Sequence, residues 1–96
     1  MLAIKWTIKA LIDFDEAQAY IAHENPAAAR MIAERIHAAT RRLREHPDIG
    51  APSRIAYART WPVLRTPYLI VYRVHGDAVE ILRLWHARRD WQASGH

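Results

Sequence analysis

Two apolar runs, Tyr68 to Val74 and Ala78 to Leu84, are separated only by His75-Gly76-Asp77, and this spacing constrains the fold more than any other feature. Both runs are rich in the β-branched and aromatic residues that suit a pleated, half-buried surface. Gly76 takes a positive φ without steric cost and Asp77 tolerates tight turns, so the runs fold back on each other as an antiparallel hairpin. That hairpin supplies the centre of a sheet, and the rest of the chain must cover it. Directly after the second run comes Trp85-His86-Ala87-Arg88-Arg89-Asp90-Trp91, dense in groups that bind anions, titrate near neutrality or stack.

The preceding residues supply the cover. Leu2 to Trp6 alternates weakly and predicts a short first strand, at an edge or beside the hairpin. Thr7 is a helix cap, and Ala10, Phe14, Ala17 and Ile21 follow at three-to-four spacing, with Asp13, Asp15 and Glu16 in the first half, where they favour the helix dipole. Asn25-Pro26 ends that helix near Glu24 and starts a second, predicted to run to about Glu45 with Ala28, Ile32, Ile36, Ala39 and Leu43 on one face. Arg41, Arg42 and Arg44 near its end complement the helix C-terminus. His46-Pro47 breaks the helix, and a β-like stretch from Ile55 to Leu64 follows, made an edge or a bulge by Pro62. The order is β-α-α-β-β-β. It predicts an α+β domain over 1–96, an antiparallel helical hairpin packed on an antiparallel sheet.

Composition narrows the setting. There is no cysteine, which excludes disulfides and thiolate metal sites and points to a reducing cytoplasm. No apolar run approaches a membrane span, and the acids and aromatics of the N-terminus do not suit a secretory signal. His23, His37, His46 and His75 lack ligand-like spacing, so neither a metal nor another cofactor is expected. Residues 1–50 carry seven basic and seven acidic side chains, whereas 51–96 carry seven arginines against three acids. The whole excess of +4 therefore sits in the sheet half as arginine, which suits bidentate contacts to phosphate or to an acidic protein surface.

Several ordered pieces together resemble one family. They are Ala10, Asp13, Phe14, Ala17, Tyr20 and Ile21; Asn25-Pro26-Ala27-Ala28-Ala29; the His46-Pro47 to Gly50 helix exit; Thr66-Pro67-Tyr68 through Val74; and Val79 through Trp91. With these the chain resembles the RelE/ParE toxins of bacterial type II toxin–antitoxin modules over nearly its whole length. The resemblance implies a small cytoplasmic toxin, of the kind linked to plasmid stabilisation. It is held inactive by a cognate ParD-like antitoxin whose acidic C-terminal segment wraps it in a hetero-oligomer. RelE-like members cleave mRNA on the ribosome, while ParE-like members poison DNA gyrase. The closing Leu84 to Trp91 and the Thr66-Pro67-Tyr68 entry resemble the ParE side.

Cleavage of RNA by its own 2′-OH needs a base, a cation over the phosphorane and an acid for the leaving oxygen. His86 is the acid/base candidate, with Arg65, Arg83, Arg88 or Arg89 to hold phosphate and Tyr68 or Tyr72 to assist. Leu69, however, stands where ribonuclease members commonly carry a basic residue, and Lys5 and Lys9 are the only lysines. Gyrase binding without chemistry is therefore the expectation, through Arg83, His86, Arg88, Arg89 and Trp91. Trp61, Arg65, Arg73 and Trp85 are the antitoxin-binding candidates. A ribosome-dependent endonuclease and a non-toxic, antitoxin-binding homologue are the alternatives.

Overall fold

Strands β4 (Tyr68–His75) and β5 (Ala78–His86) form the expected hairpin, closed where His75 pairs with Ala78 and Gly76 takes φ 62°. The structure, a computed structural model, describes residues 2–55 and 57–88. Before the hairpin come β1 (Ala3–Trp6), α1 (Ile8–Glu24), α2 (Pro26–Glu45), β2 (Ala51–Pro52) and β3 (Arg59–Pro62), in a sheet of order β1-β5-β4-β3-β2.

Both helices begin as the sequence predicts. The Thr7 hydroxyl accepts a hydrogen bond from the Ala10 amide, and Asn25 Oδ1 accepts one from Ala28. Asn25 also donates its own amide to Ile21, so one residue closes α1 and opens α2. Ala10 and Ala17 of α1, and Ile36, Ala39 and Leu43 of α2, are buried against Tyr68, Ile70 and Tyr72 of β4 and Val79, Ile81 and Leu84 of β5. In the first turns of α2 it is Ala29, rather than the expected Ala28, that is fully buried. The shift amounts to one residue on the wheel.

The sheet departs from expectation in three respects. It is mixed, not antiparallel, because β1 pairs parallel with β5; both helices and strands β2 to β4 lie between them, far more chain than parallel pairing requires. It has a fifth strand, the two-residue β2, which lies along β3 at Arg59 and Thr60. The strand expected over 55–64 shrinks to Arg59–Pro62, and Tyr57 before it takes φ 64°, which no strand residue can hold.

A bulge in β5 decides what faces where. Val71 pairs with Arg83 but Tyr72 pairs with Ile81, so Leu82 is an extra residue. Val79, Ile81 and Leu84 consequently all join the core under the helices, whereas Arg83 and Trp85 turn to the opposite face with Val71 and Leu69. Beyond the end of β1, α1 takes over the outer edge of β5. Thr7 bonds to the carbonyls of Ile81 and Leu82, and Asp13 accepts the Leu84 amide at 2.9 Å.

Tyr72 ties the α2 exit to the sheet. Its buried hydroxyl donates to the Pro47 carbonyl at 2.7 Å and accepts from the Gly50 amide at 2.9 Å. A Cβ on Gly50 would stand 2.5 Å from that oxygen and 2.8 Å from the Thr60 carbonyl, so only glycine fits.

Candidate functional site

Two neighbouring surfaces carry the candidate residues, one along β3 and one at the open end of the β4–β5 hairpin. The first is a groove of about 680 Å³ between α2 and the segment from Trp61 to Thr66. Its wall on α2 is Arg35, Ala38, Ala39 and Arg42, one stripe at helical spacing in which two small residues leave a depression between two arginines. On the other side, Trp61 shares the helix-facing side of β3 with its partner Ile70, and Val63 is buried beneath the exposed Leu64.

The turn that closes the groove is tightly built. Val63 donates its amide to Tyr68, the Thr66 hydroxyl donates to the Val63 carbonyl at 2.9 Å, and Tyr68 donates its amide back to that hydroxyl. Within it Arg65 takes φ 60°, a left-handed conformation that costs a branched-free side chain about 1 kcal/mol. Arg35 donates to the Arg65 carbonyl at 3.3 Å, joining the two walls. Among the described residues no acid lines the groove, and Arg35, Arg42 and Arg65 give it a positive rim.

At the free end of the hairpin lies the second surface. Asp13 holds Arg83 through both carboxylate oxygens, at 2.8 and 3.1 Å, with only 15% of its side chain exposed. Held that way, the Arg83 guanidinium lies 5.7 Å from the centre of the Trp85 ring. His86 meets the ring of Tyr68 edge-on at 5.5 Å, and its Nδ1 accepts the Arg88 amide at 3.3 Å. In the neutral imidazole the proton is therefore on Nε2. Ala87 donates its amide to Pro67 at 2.7 Å, which keeps the chain on the sheet as far as Arg88.

The candidates named from sequence are thus divided. Trp61 and Arg65 share the groove. Arg83, Trp85, His86 and Arg88 share the hairpin end. Arg73 joins neither group: it lies on the helix-free face of the sheet and pairs with Glu80 at 2.6 Å. Arg89 and Trp91 lie outside the described residues. Sequence reasoning missed Arg35, Ala38 and Leu64 as groove residues, and gave Arg42 only to the helix dipole. The arginine-flanked alanine pair of α2 was the available signal. It also put Asp13 to the service of the dipole, whereas Asp13 is spent on Arg83. Among the described residues no three His, Asp or Glu side chains gather as metal ligands would, and no helix is long and apolar enough to cross a membrane.

Residues 4–91 match the family model described as the ParE toxin of the type II toxin–antitoxin system parDE. The chain belongs to the ParE toxin family. This ParE-family chain is 42% identical over 88 residues to "Putative toxin Y4kP" of Sinorhizobium fredii, covering 92% of itself and 91% of that protein. It is 37% identical over 90 residues to "Toxin RelE2" of Caulobacter vibrioides, covering 93% of itself and 99% of the relative. Among solved structures it resembles a chain of the chromosomal ParDE TA system from P. aeruginosa, with TM-score 0.82, 28% identity and coverage of 92% and 98%. A YoeB/ParE toxin from Agrobacterium tumefaciens shares the fold, with TM-score 0.64 at 16% identity and coverage of 88% and 98%.

Proposed function

We propose that this ParE-family chain is a cytoplasmic toxin neutralised by a cognate ParD-like antitoxin, whose acidic C-terminal segment fills the groove between α2 and the turn after β3. The observation that carries this reading is the composition of the groove. Its floor of Ala38, Ala39 and Val63 accepts apolar side chains, and its rim of Arg35, Arg42 and Arg65 accepts carboxylates, with no acid lining it among the described residues. Trp61 supplies the aromatic anchor typical of a binding hot spot. Trp85 and Arg73 lie on the other face of the sheet, so the antitoxin touches them only by wrapping round it.

Reversal of two rim charges tests the assignment. Arg42→Glu with Arg65→Glu is expected to weaken antitoxin binding at least about 100-fold by calorimetry, as close interfacial charges of like sign cost several kcal/mol. Unchanged affinity in a folded double variant would move the antitoxin elsewhere.

Released from the antitoxin, the chain acts on DNA gyrase through the hairpin end, with the half-buried Trp85 and His86 and the exposed Arg88 presented to the target and Arg83 held flat beside them. Arg89 and Trp91 extend that surface in sequence. Family membership supports this target, as does the commitment of Arg83 to Asp13, which leaves its charge largely neutralised rather than poised over a phosphate. A second reading, cleavage of ribosome-bound mRNA, is favoured by one observation: the half-buried imidazole of His86 beside the Tyr68 ring, with its proton on Nε2. Loss of all growth arrest in His86→Ala, with antitoxin binding intact and gyrase unaffected by the wild type, would establish that reading instead.

A further inference from the structure

Asp13 reaches the hairpin end from the helical layer. It stands on α1, 70 residues before Arg83 in sequence, yet its carboxylate closes on β5 just past the bulge. Oδ2 accepts both the Arg83 Nε proton at 2.8 Å and the Leu84 amide at 2.9 Å, and Oδ1 accepts from Arg83 Nη2 at 3.1 Å. The bond to the Leu84 amide replaces a strand partner, because β1 stops at Trp6, opposite Ile81. One carboxylate thus fixes both the backbone after the bulge and the guanidinium that leaves it.

A neutral acceptor such as asparagine would serve the Leu84 amide equally well; the negative charge is needed only for the arginine. The Arg83 side chain is 36% exposed, so the pair is partly solvated and its charge does more for orientation than for stability. What it orients is the binding corner. Arg83 and Trp85 share the helix-free face of β5, and the guanidinium, gripped through two of its donors, lies 5.7 Å from the centre of the Trp85 ring. A competing orientation is close by. Glu16, one turn further along α1 and exposed, lines with Asp13 and Arg83 a hollow of about 550 Å³ between α1 and the open end of the hairpin. Once position 13 is neutral, Glu16 offers the guanidinium a different partner. We propose that Asp13 is a positioning residue for target recognition: only 15% exposed itself, it holds Arg83, and through Arg83 the Trp85 ring, in the arrangement that binds. The inference rests on the reading of the hairpin end as the target-facing surface, and not on which target it meets.

Ordering one long side chain at an interface costs about 2- to 12-fold in affinity, and the Asp13 carboxylate removes that cost before the target arrives. Growth arrest by the full chain under titrated expression is the readout, with antitoxin binding and thermal unfolding measured alongside. Asp13→Asn keeps an acceptor for the Leu84 amide and removes the charge. It should raise the toxin level needed for arrest about tenfold, since Trp85 loses its orientation together with Arg83, while the variant still unfolds cooperatively and still binds antitoxin. In an Arg83→Ala background Asp13→Asn should add nothing, because Asp13 acts through Arg83. A carboxylate that only stabilised the fold would instead lower toxicity and antitoxin binding together and would add to Arg83→Ala. Trp85→Ala separates the inference from the reading beneath it. Full arrest by Trp85→Ala would remove the hairpin end from the target surface, and the inference with it. Arrest lost in Trp85→Ala but undiminished in Asp13→Asn would overturn the positioning role alone. So would additive losses in the double variant, loss of antitoxin binding in Asp13→Asn, or a wild type that arrests no growth.

Discussion

Tyr72 joins the helical layer to the sheet through one hydroxyl. It is fully buried, and both of its hydrogen bonds go to the backbone of the α2 exit. Tyr72→Phe keeps the ring but leaves the Gly50 amide and the Pro47 carbonyl without partners, so denaturant unfolding should show a loss of about 1–3 kcal/mol. Burial raises the Tyr72 hydroxyl above its ordinary 10.0, against the opposing pull of the Gly50 amide and then of Arg59, with nearby Asp48 adding slightly to the rise. The unfolded chain therefore releases this proton at a lower pH than the folded one. The corresponding stability is fully present below about pH 10 and is lost as pH rises through the folded value. Wild type should thus lose stability in that alkaline window more steeply than Tyr72→Phe; parallel curves would remove the hydroxyl from the account. Asp13 is the second residue of this kind. Asp13→Ala strips Arg83 of its partner and the Leu84 amide of its acceptor, and should cost about 2 kcal/mol in the same measurement. A change within about 0.5 kcal/mol would mean that water replaces the carboxylate.

Asn25 makes the helical hairpin a single element. It is the N-cap of α2 and also the residue whose amide closes α1, so Asn25→Ala should lower stability by about 1 kcal/mol and the melting temperature by about 5 °C. A melting temperature unchanged by that substitution would mean that the two helices are oriented by core packing alone. This junction was legible in sequence because Asn-Pro carries its conformation locally, and the same holds for Gly76 in the hairpin turn. The parallel pairing of β1 was not. Its direction follows from the length of the crossover and from the hairpin already occupying the other edge of β5, which are relations between distant segments. The bulge at Leu82 was hidden for a related reason: Leu82 is as apolar as its neighbours, so alternation alone could not show that Arg83 and Trp85 would change faces. The candidate site was legible in its residue types but not in its grouping. Trp61 and Arg65 are close in sequence and stay together, whereas Arg35 and Arg42 come to them only because α2 packs alongside the β3–β4 turn.

At the scale of the whole molecule, the charge excess of the sheet half resolves into separate uses. Arg73 and Arg83 are held by Glu80 and Asp13, Arg59 donates to the Gly50 carbonyl, and Arg65 rims the groove with two arginines from α2. The sheet is therefore less a uniform cationic face than a scaffold with a positive groove along β3 and, beside it at the open end of the hairpin, an aromatic, imidazole-bearing corner. In the proposed reading the first receives the antitoxin and the second meets the target, and the two adjoin at Thr66-Pro67-Tyr68, where Ala87 donates to the Pro67 carbonyl. The most direct test is supercoiling by purified DNA gyrase in the presence of the full chain, with cognate antitoxin added back. Loss of supercoiling with accumulation of cleaved DNA, reversed by antitoxin and weakened at least about tenfold by Trp85→Ala, is the predicted result. Undiminished supercoiling at excess toxin, while antitoxin still binds, would contradict the account.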